Sequence, residues 1–106
     1  MVEIDLSLKN TAIYRGVKIE SFGGRKSFEV NQENLDIIGN NIYNYMQGLK
    51  AEFKAEGRDM TEFNKVITLT GATAIPVYLV AFHIVVHSFH EIRYKNEMYD
   101  IIAAKH

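Results

Sequence analysis

Residues 65–96 hold most of the side chains that could do chemistry. The segment reads KVITLTGATAIPVYLVAFHIVVHSFHEIRYKN and contains three of the four histidines, His83, His87 and His90. His83 and His87 are four residues apart and share a helix face, a spacing that suits two metal ligands or two proton-transfer groups. The zinc-protease pattern needs a glutamate directly after the first histidine, and Ile84 stands there, so a protease is disfavoured. The alternative is a histidine packed in the core or at a dimer interface.

A turn between a buried strand and a helix is the second candidate. Thr70, Gly71, Ala72 and Thr73 follow a β-branched strand at residues 66–69. Gly71 and Ala72 would let a phosphate approach the backbone at the helix N-terminus, and the two threonines would add hydroxyl donors. The turn matches neither a P-loop nor a GxGxxG fingerprint. The alternative is therefore an ordinary strand-to-helix turn in which Thr73 caps the helix.

The end of the next strand offers cations and an aromatic ring. Arg93 and Lys95 leave one face of this strand, Tyr94 leaves the other, and Asn96 follows. Ligands of parallel sheets bind beyond the carboxyl ends of the strands, where Lys95 and Asn96 lie. Cations hold phosphates and tyrosine stacks on bases. The alternative is a solvated strand face with a packed tyrosine.

Hydrophobic periodicity predicts the elements that position these groups. In chain order we expect strands at 2–8, 12–22 and 26–30, a helix at about 35–57, a loop at 58–64, a strand at 66–69, a helix to about residue 89, and strands at 91–96 and 99–104. Gly23-Gly24 should make a hairpin turn. The class is α/β, with a mixed sheet of about five to six strands and two main helices.

Composition narrows the classes of function. A chain of 106 residues fits one domain, and a formal charge of −1 argues against a coat on long nucleic acid. The absence of cysteine excludes disulfides, thiol nucleophiles and thiolate metal sites, and it fits a cytoplasmic protein. The apolar run at 72–86 has ~15 residues, fewer than the ~20 that span a bilayer. The N-terminus does not read as a signal peptide, so no membrane partner is expected.

The order of these motifs is similar to that of one family. An apolar strand, Thr70-Gly71, Ala74-Ile75-Pro76, an aliphatic helix with His83 and His87, Tyr94 and a last strand at 99–104 resemble the small CARF-like ring nucleases of type III CRISPR systems. The resemblance covers about residues 65–106. It implies a compact Rossmann-like (CARF-like) nucleotide-binding domain over residues 1–106. It also implies a homodimer that binds a cyclic oligoadenylate second messenger, such as cyclic tetra-adenylate, and cuts it to end antiviral signalling.

The resemblance also assigns residues to a site. The implied catalytic residues are Lys95, Thr73 and His83, and the implied ligand-binding residues are Thr70, Gly71, Ala72, Thr73, Tyr94 and Asn96. Lys95 stands where some relatives have an aspartate, which favours a cationic site without a metal or other cofactor. The substrate's own 2′-hydroxyl would attack the adjacent phosphate and leave a cyclic 2′,3′-phosphate end. Arg25 and Lys26 enter by their charge, since their basic hairpin could close over a ligand.

Three other functions stay open at this point. The chain could bind the cyclic nucleotide without cutting it and act as a sensor or sequestering module. It could be a lyase that acts on an adenosine–methionine messenger, SAM-AMP. It could also be a structural dimerisation protein whose histidine helix is the interface.

Overall fold

A four-stranded mixed sheet organises the chain. The structure is a computed structural model, and it describes residues 2–106. In chain order the elements are β1 (Val2–Asp5), β2 (Glu20–Phe22), β3 (Arg25–Ser27), α1 (Gln32–Ala55), α2 (Met60–Phe63), β4 (Val66–Thr70), α3 (Ile75–Val86), β5 (Glu91–Lys95) and β6 (Asp100–Lys105). The sheet order is β1-β4-β5-β6, with the first three strands parallel and β6 antiparallel. The fold is therefore an α/β single domain, as the periodicity predicts.

Helices α1 and α3 lie together on one face of this sheet. Each is the crossover between two neighbouring parallel strands, and both crossovers step across the sheet in the same direction, which puts the two helices on one side. They approach closely, because a Cβ placed on Gly39 of α1 would lie 3.2 Å from Val80 of α3. The core lies between this helix pair and the sheet, where Ile4, Ile67 and Ile92 are at most 1% exposed.

Local chemistry explains where the long helix begins and which face it buries. The Asn31 side chain caps α1 by accepting a hydrogen bond from the Asn34 backbone N–H at 2.8 Å. Ile38, Ile42 and Met46 recur at four-residue spacing and are all buried. Within residues 2–106, no helix is both long and apolar enough to span a bilayer.

The segment before the hairpin differs from its predicted strand. Residues 11–17 form consecutive turns, and only Glu20–Phe22 is a strand. The backbone N–H groups of Ile13 and Val17 donate to carbonyls three residues earlier, so these two donors are satisfied locally and not by a neighbouring strand. Gly23-Gly24 does turn the β2–β3 hairpin, but these strands form a separate sheet. The main sheet therefore has four strands rather than five to six.

Two helix boundaries also differ from prediction. The expected loop at 58–64 contains α2, whose N-cap Asp59 accepts from the Thr61 N–H at 3.0 Å. Helix α3 ends at Val86 instead of near Phe89, since the chain then passes through a short turn. Residues 2–106 thus contain three helices, of which two are long.

Candidate functional site

An open cleft lies at the carboxyl ends of β4 and β5. The two strands are parallel and in register, with Thr70 directly opposite Lys95, so both end at the same edge of the sheet. We call this the apical cleft; it encloses about 730 Å3 and is lined by Thr70, Gly71, Ala72, Tyr94, Lys95, Asn96, Glu97 and Met98. The structure thus brings together six of the residues that the sequence analysis assigns to a site.

Gly71 is required by the backbone that crosses in front of it. Its φ is +101°, in the region that favours glycine. A Cβ at this position would collide with the Asp5 carboxylate and lie 2.7 Å from the Ser7 nitrogen. Asp5 is held there because its Oδ1 accepts from the Ser7 N–H at 2.8 Å. The floor of the apical cleft is therefore built by contact between the ends of β1 and β4.

The threonine hydroxyls of the turn are engaged inside the protein. Thr70 Oγ1 donates to the Lys95 carbonyl at 2.7 Å. The Tyr14 hydroxyl donates its single hydrogen to the Leu6 carbonyl at 2.5 Å, so Thr73 Oγ1, 2.7 Å away, is the donor to Tyr14. In this arrangement both hydroxyl hydrogens are donated within the protein, so neither is available to a phosphate. The groups of the turn that could still donate to a phosphate are its backbone N–H groups.

The predicted cap of α3 is also wrong. Ala74 occupies the N-cap position and, since alanine has no polar side chain, makes no cap hydrogen bond, while the hydroxyl of the preceding Thr73 is hydrogen-bonded to Tyr14. Pro76 stands in the first turn, as predicted. The positive end of the α3 dipole is therefore left without a side-chain cap, next to the apical cleft.

Two tyrosine hydroxyls, from α3 and from the 11–17 segment, hold the turn at residues 70–73 in place. The Tyr78 hydroxyl donates to the Gly71 carbonyl, and its ring packs edge-on against Tyr94 at 5.4 Å between centroids. Burial, helped by the nearby Tyr94 and Asp5, raises the pKa of Tyr78 to about 12. Burial also raises the pKa of Tyr14, against the opposing effect of its hydrogen bond with Thr73. Both phenols stay protonated at neutral pH and act as hydrogen-bond donors.

Lys95 and Asn96 have different environments. Lys95 is exposed, and none of the ion pairs among residues 2–106 involves its ammonium group. Asn96 is instead occupied, since its Oδ1 accepts from the N–H groups of Met98 and Tyr99 at 2.8 and 2.7 Å and its Nδ2 donates to the Tyr94 hydroxyl at 3.0 Å. Asn96 therefore shapes the β5–β6 turn and holds Tyr94.

The hairpin reaches the turn from its other side. Lys26 lines a smaller cavity, of about 170 Å3, together with Ala72 and Thr73. Arg25 is exposed on the same hairpin but does not line this cavity. The basic hairpin is therefore adjacent to the turn through Lys26.

His83 does not lie at the apical cleft. It follows the first residue of α3 by eight positions, which places it roughly 12 Å farther along the helix axis. There it lines a groove between α1 and α3 with Asp36, Asn40 and Tyr43. Its ring is 5.3 Å from that of His87, and both histidines are exposed. Among residues 2–106, no group of three or more His, Asp or Glu side chains is placed to hold a metal ion.

A second large cavity lies at the opposite edge of the sheet. It encloses about 520 Å3, and its lining includes Glu3, Glu52, Glu56, Asp59 and Glu62. One cation, Arg58, also lines it, and its guanidinium stacks over Phe53. Five carboxylates against one guanidinium repel an anionic ligand. A phosphate therefore fits the apical cleft better.

The supporting groups of the cleft were not identified from sequence. The sequence does single out Tyr78, because it is the one tyrosine of a largely apolar helix and lies about one turn after the small-residue turn. No sequence signal singles out Tyr14, because the sequence of its segment predicts a strand. No family profile, no curated protein and no solved structure matches this chain.

Proposed function

We propose that this protein binds a cyclic oligoadenylate in the apical cleft, as a cytoplasmic homodimer, and cleaves it as a ring nuclease of CRISPR antiviral defence. One observation carries the proposal: the Thr70–Ala72 turn, the Tyr94 ring and the exposed Lys95 ammonium line the same cleft. Such a cleft, at the carboxyl ends of parallel strands and beside a helix N-terminus, suits a phosphate.

Each part of the cleft has a role in holding the ligand. Backbone N–H groups at Gly71 and Ala72 receive a phosphate, because Gly71 has no side chain in the way. Tyr94, whose orientation Asn96 fixes, stacks on an adenine. Lys26 approaches the same turn through its own cavity and adds a second cation. Arg25 lies farther out on the hairpin and contributes long-range attraction.

Lys95 stabilises charge in the cleavage step. The ligand's 2′-hydroxyl attacks the adjacent phosphorus, the bond to the 5′-oxygen breaks, and a cyclic 2′,3′-phosphate and a 5′-hydroxyl are formed. The proton lost by the 2′-hydroxyl is balanced by the one that the leaving 5′-oxygen gains. In this proposal the Lys95 ammonium group stabilises the negative charge that grows on the phosphoryl oxygens. His83 has no part in this step, since it lies along α3 and away from the cleft.

A second candidate is binding without cleavage, in which the protein sequesters the messenger. Two observations favour it: the hydroxyls of Thr70 and Thr73 are engaged internally, and no histidine lines the apical cleft. The cleft then holds a cation, an aromatic ring and the Glu97 carboxylate, but it has no histidine, the group that most often transfers protons in enzymes.

Incubation with cyclic tetra-adenylate in the presence of a chelator tests the first proposal. We expect linear products from the wild type, and about 10²-fold slower cleavage by Lys95→Ala. The matched control is Lys65→Ala, which removes an exposed lysine just before β4, at the opposite edge of the sheet. Both variants should keep the wild-type melting temperature without nucleotide.

Thermal shift with the same nucleotide separates the two candidates. A ligand that binds only the folded state raises the melting temperature. A raised melting temperature with an intact ring supports the sequestering function. No shift and no cleavage contradicts both candidates, and equal cleavage by Lys95→Ala contradicts the assignment of Lys95.

A further inference from the structure

Strand β6 is an edge strand with neither a proline nor a charge in its middle. It pairs with β5, and no described strand lies on its other side. Its sequence, DIIAAK, has no proline and carries charge only at its two ends. Ile101 and Ile102 between those ends are 50% and 48% exposed. Proteins ordinarily block such an edge with prolines or central charges, because its free backbone groups pair with other strands.

The two ends of β6 carry opposite charges on the same face of the sheet. Asp100 and Lys105 are an odd number of residues apart, so a regular strand would send them to opposite faces. Ile92 and Arg93 are adjacent on β5, but their partners on β6, Ala104 and Ile102, are separated by Ala103. Ala103 is therefore an extra, bulged residue, and it brings Asp100 and Lys105 to the same face of the sheet.

The ion pairs show the result of the bulge. Arg93 contacts Asp100 at 3.0 Å and Glu91 at 3.2 Å, and Lys105 lies 3.9 Å from Glu91. Asp100 and Lys105 therefore stand on the face of Glu91 and Arg93, which is the face opposite the helices. An acid at one end and a base at the other make this face of β6 complementary to itself in antiparallel orientation.

On the helix-covered face of the sheet, the surface next to β6 is apolar and exposed. Ile75 and Leu79 of α3 are 75% and 64% exposed and lie one turn apart on the helix. Tyr78, between them in sequence, packs on Tyr94, whose partner on β6 is Ile101. This flank of α3 therefore borders β6, and the apolar surface continues from the strand to the helix.

We infer that β6 pairs antiparallel with β6 of a second copy of this chain across a two-fold axis. The pairing brings Asp100 to the level of Lys105 of the partner subunit, joins two four-stranded sheets into one, and sets the two α3 flanks facing each other across the strand pair. A second copy of this chain fits this edge because, in an antiparallel pair of β6 strands, the acidic end of each strand lies beside the basic end of the other. The inference rests on the homodimer of the proposed function but not on its nucleotide chemistry.

Charge reversal at the two ends of β6 tests this interface. Sedimentation of the full chain without nucleotide should give twice the 12.1 kDa chain mass. Asp100→Lys and Lys105→Asp, each alone, should weaken the dimer about tenfold or more, because like charges then meet at both ends. An equimolar mixture of the two variants should restore the dimer, since each complements the other. The matched control is Lys50→Asp on α1, which should sediment as the wild type does.

Three results would overturn the inference. They are a wild type that stays monomeric at every concentration, an Asp100→Lys variant that dimerises as tightly as the wild type, and a mixture that stays monomeric while both variants are folded by circular dichroism. Because no nucleotide is present, none of these results depends on whether the protein binds or cuts one. A dimer that is lost by each variant and regained by mixing supports the interface even if the ring-nuclease proposal fails.

Discussion

The two faces of the sheet differ in what covers them and in what holds them together. On the helix side, Ile4, Leu69 and Ile92 are at most 3% exposed beneath α1 and α3. On the other side, Arg93 bridges Glu91 and Asp100 in ion pairs that water reaches. Parallel sheets usually carry helices on both faces. In this sheet one helical layer is enough, because the second face is polar and can stay in contact with water.

The covered face contributes most of the free energy of folding, whereas the open face carries charged side chains that remain exposed. Each buried aliphatic side chain on the covered face contributes about 1.5–3 kcal/mol by leaving water. Each partly exposed ion pair on the open face contributes about 0–1 kcal/mol. The open face can therefore present charges to a partner or ligand at little cost to folding. Substitutions on adjacent residues of one strand test this division most directly.

Ile92→Ala and Arg93→Ala should have very different effects, although the residues are neighbours on β5. Ile92 is 1% exposed on the covered face, so its truncation should lower the free energy of unfolding by about 2–5 kcal/mol. Arg93→Ala removes ion pairs that water reaches on the open face, so it should lower stability far less than Ile92→Ala. Urea titration followed by circular dichroism measures both. Equal losses would contradict the division between the two faces.

Gly71→Ala should be the most destabilising substitution at the carboxyl end of the sheet, where the apical cleft lies. The new Cβ would collide with the Asp5 carboxylate, and the residue would have to hold a φ of +101°. We expect a loss of about 2–4 kcal/mol from strain and overpacking together. Gly24→Ala is the matched control, because Gly24 also has a positive φ but meets no atom within 4 Å. It should cost about 1 kcal/mol, and a similar loss in both variants would show that crowding at Gly71 is absent.

The C-terminal part of the chain was largely predictable because its signals are local. The apolar strand β4, the proline in the first turn of α3 and the alternation in β5 each fix an element within a few residues. Parallel pairing of β4 with β5 then follows from the helix between them, and it places Thr70 beside Lys95. The apical cleft therefore followed from local patterns plus one topological rule.

The N-terminal part was less predictable because its contacts are distant in sequence. Tyr14 reads as a strand residue, yet its hydroxyl joins Leu6 to Thr73, which is 59 positions away. Asn41 of α1 likewise donates to the carbonyls of Ile13 and Arg15. Side-chain hydrogen bonds to irregular backbone leave no periodic trace. For the same reason, sequence alone could not show that the turn's hydroxyls are occupied.

Tyr14→Phe should measure how much one long-range contact supports the covered face. The substitution removes the donor to the buried Leu6 carbonyl and the acceptor for Thr73, so we expect a loss of about 1–2 kcal/mol. Tyr43→Phe, at a tyrosine that is 54% exposed on α1, should change stability by less than about 0.5 kcal/mol. Denaturant titration of both variants tests the comparison. No difference between them would show that Tyr14 acts through its ring alone.

Tyr78 should make the covered face sensitive to alkali. An unfolded-chain tyrosine ionises near pH 10, whereas burial raises the pKa of Tyr78 to about 12. Between these values the unfolded chain releases this proton first, so stability falls as pH rises. Tyr78 is partly exposed, which limits the loss to about 1 kcal/mol, less than the pKa difference alone would give. The informative quantity is the difference in stability from Tyr78→Phe, because the contributions of all other groups are common to both proteins. The stability advantage of the wild type over this variant, which reflects the hydrogen bond to Gly71, should shrink between pH 10 and 12. An advantage that stays constant would mean that the Tyr78 phenol is not buried against Tyr94 as the structure has it.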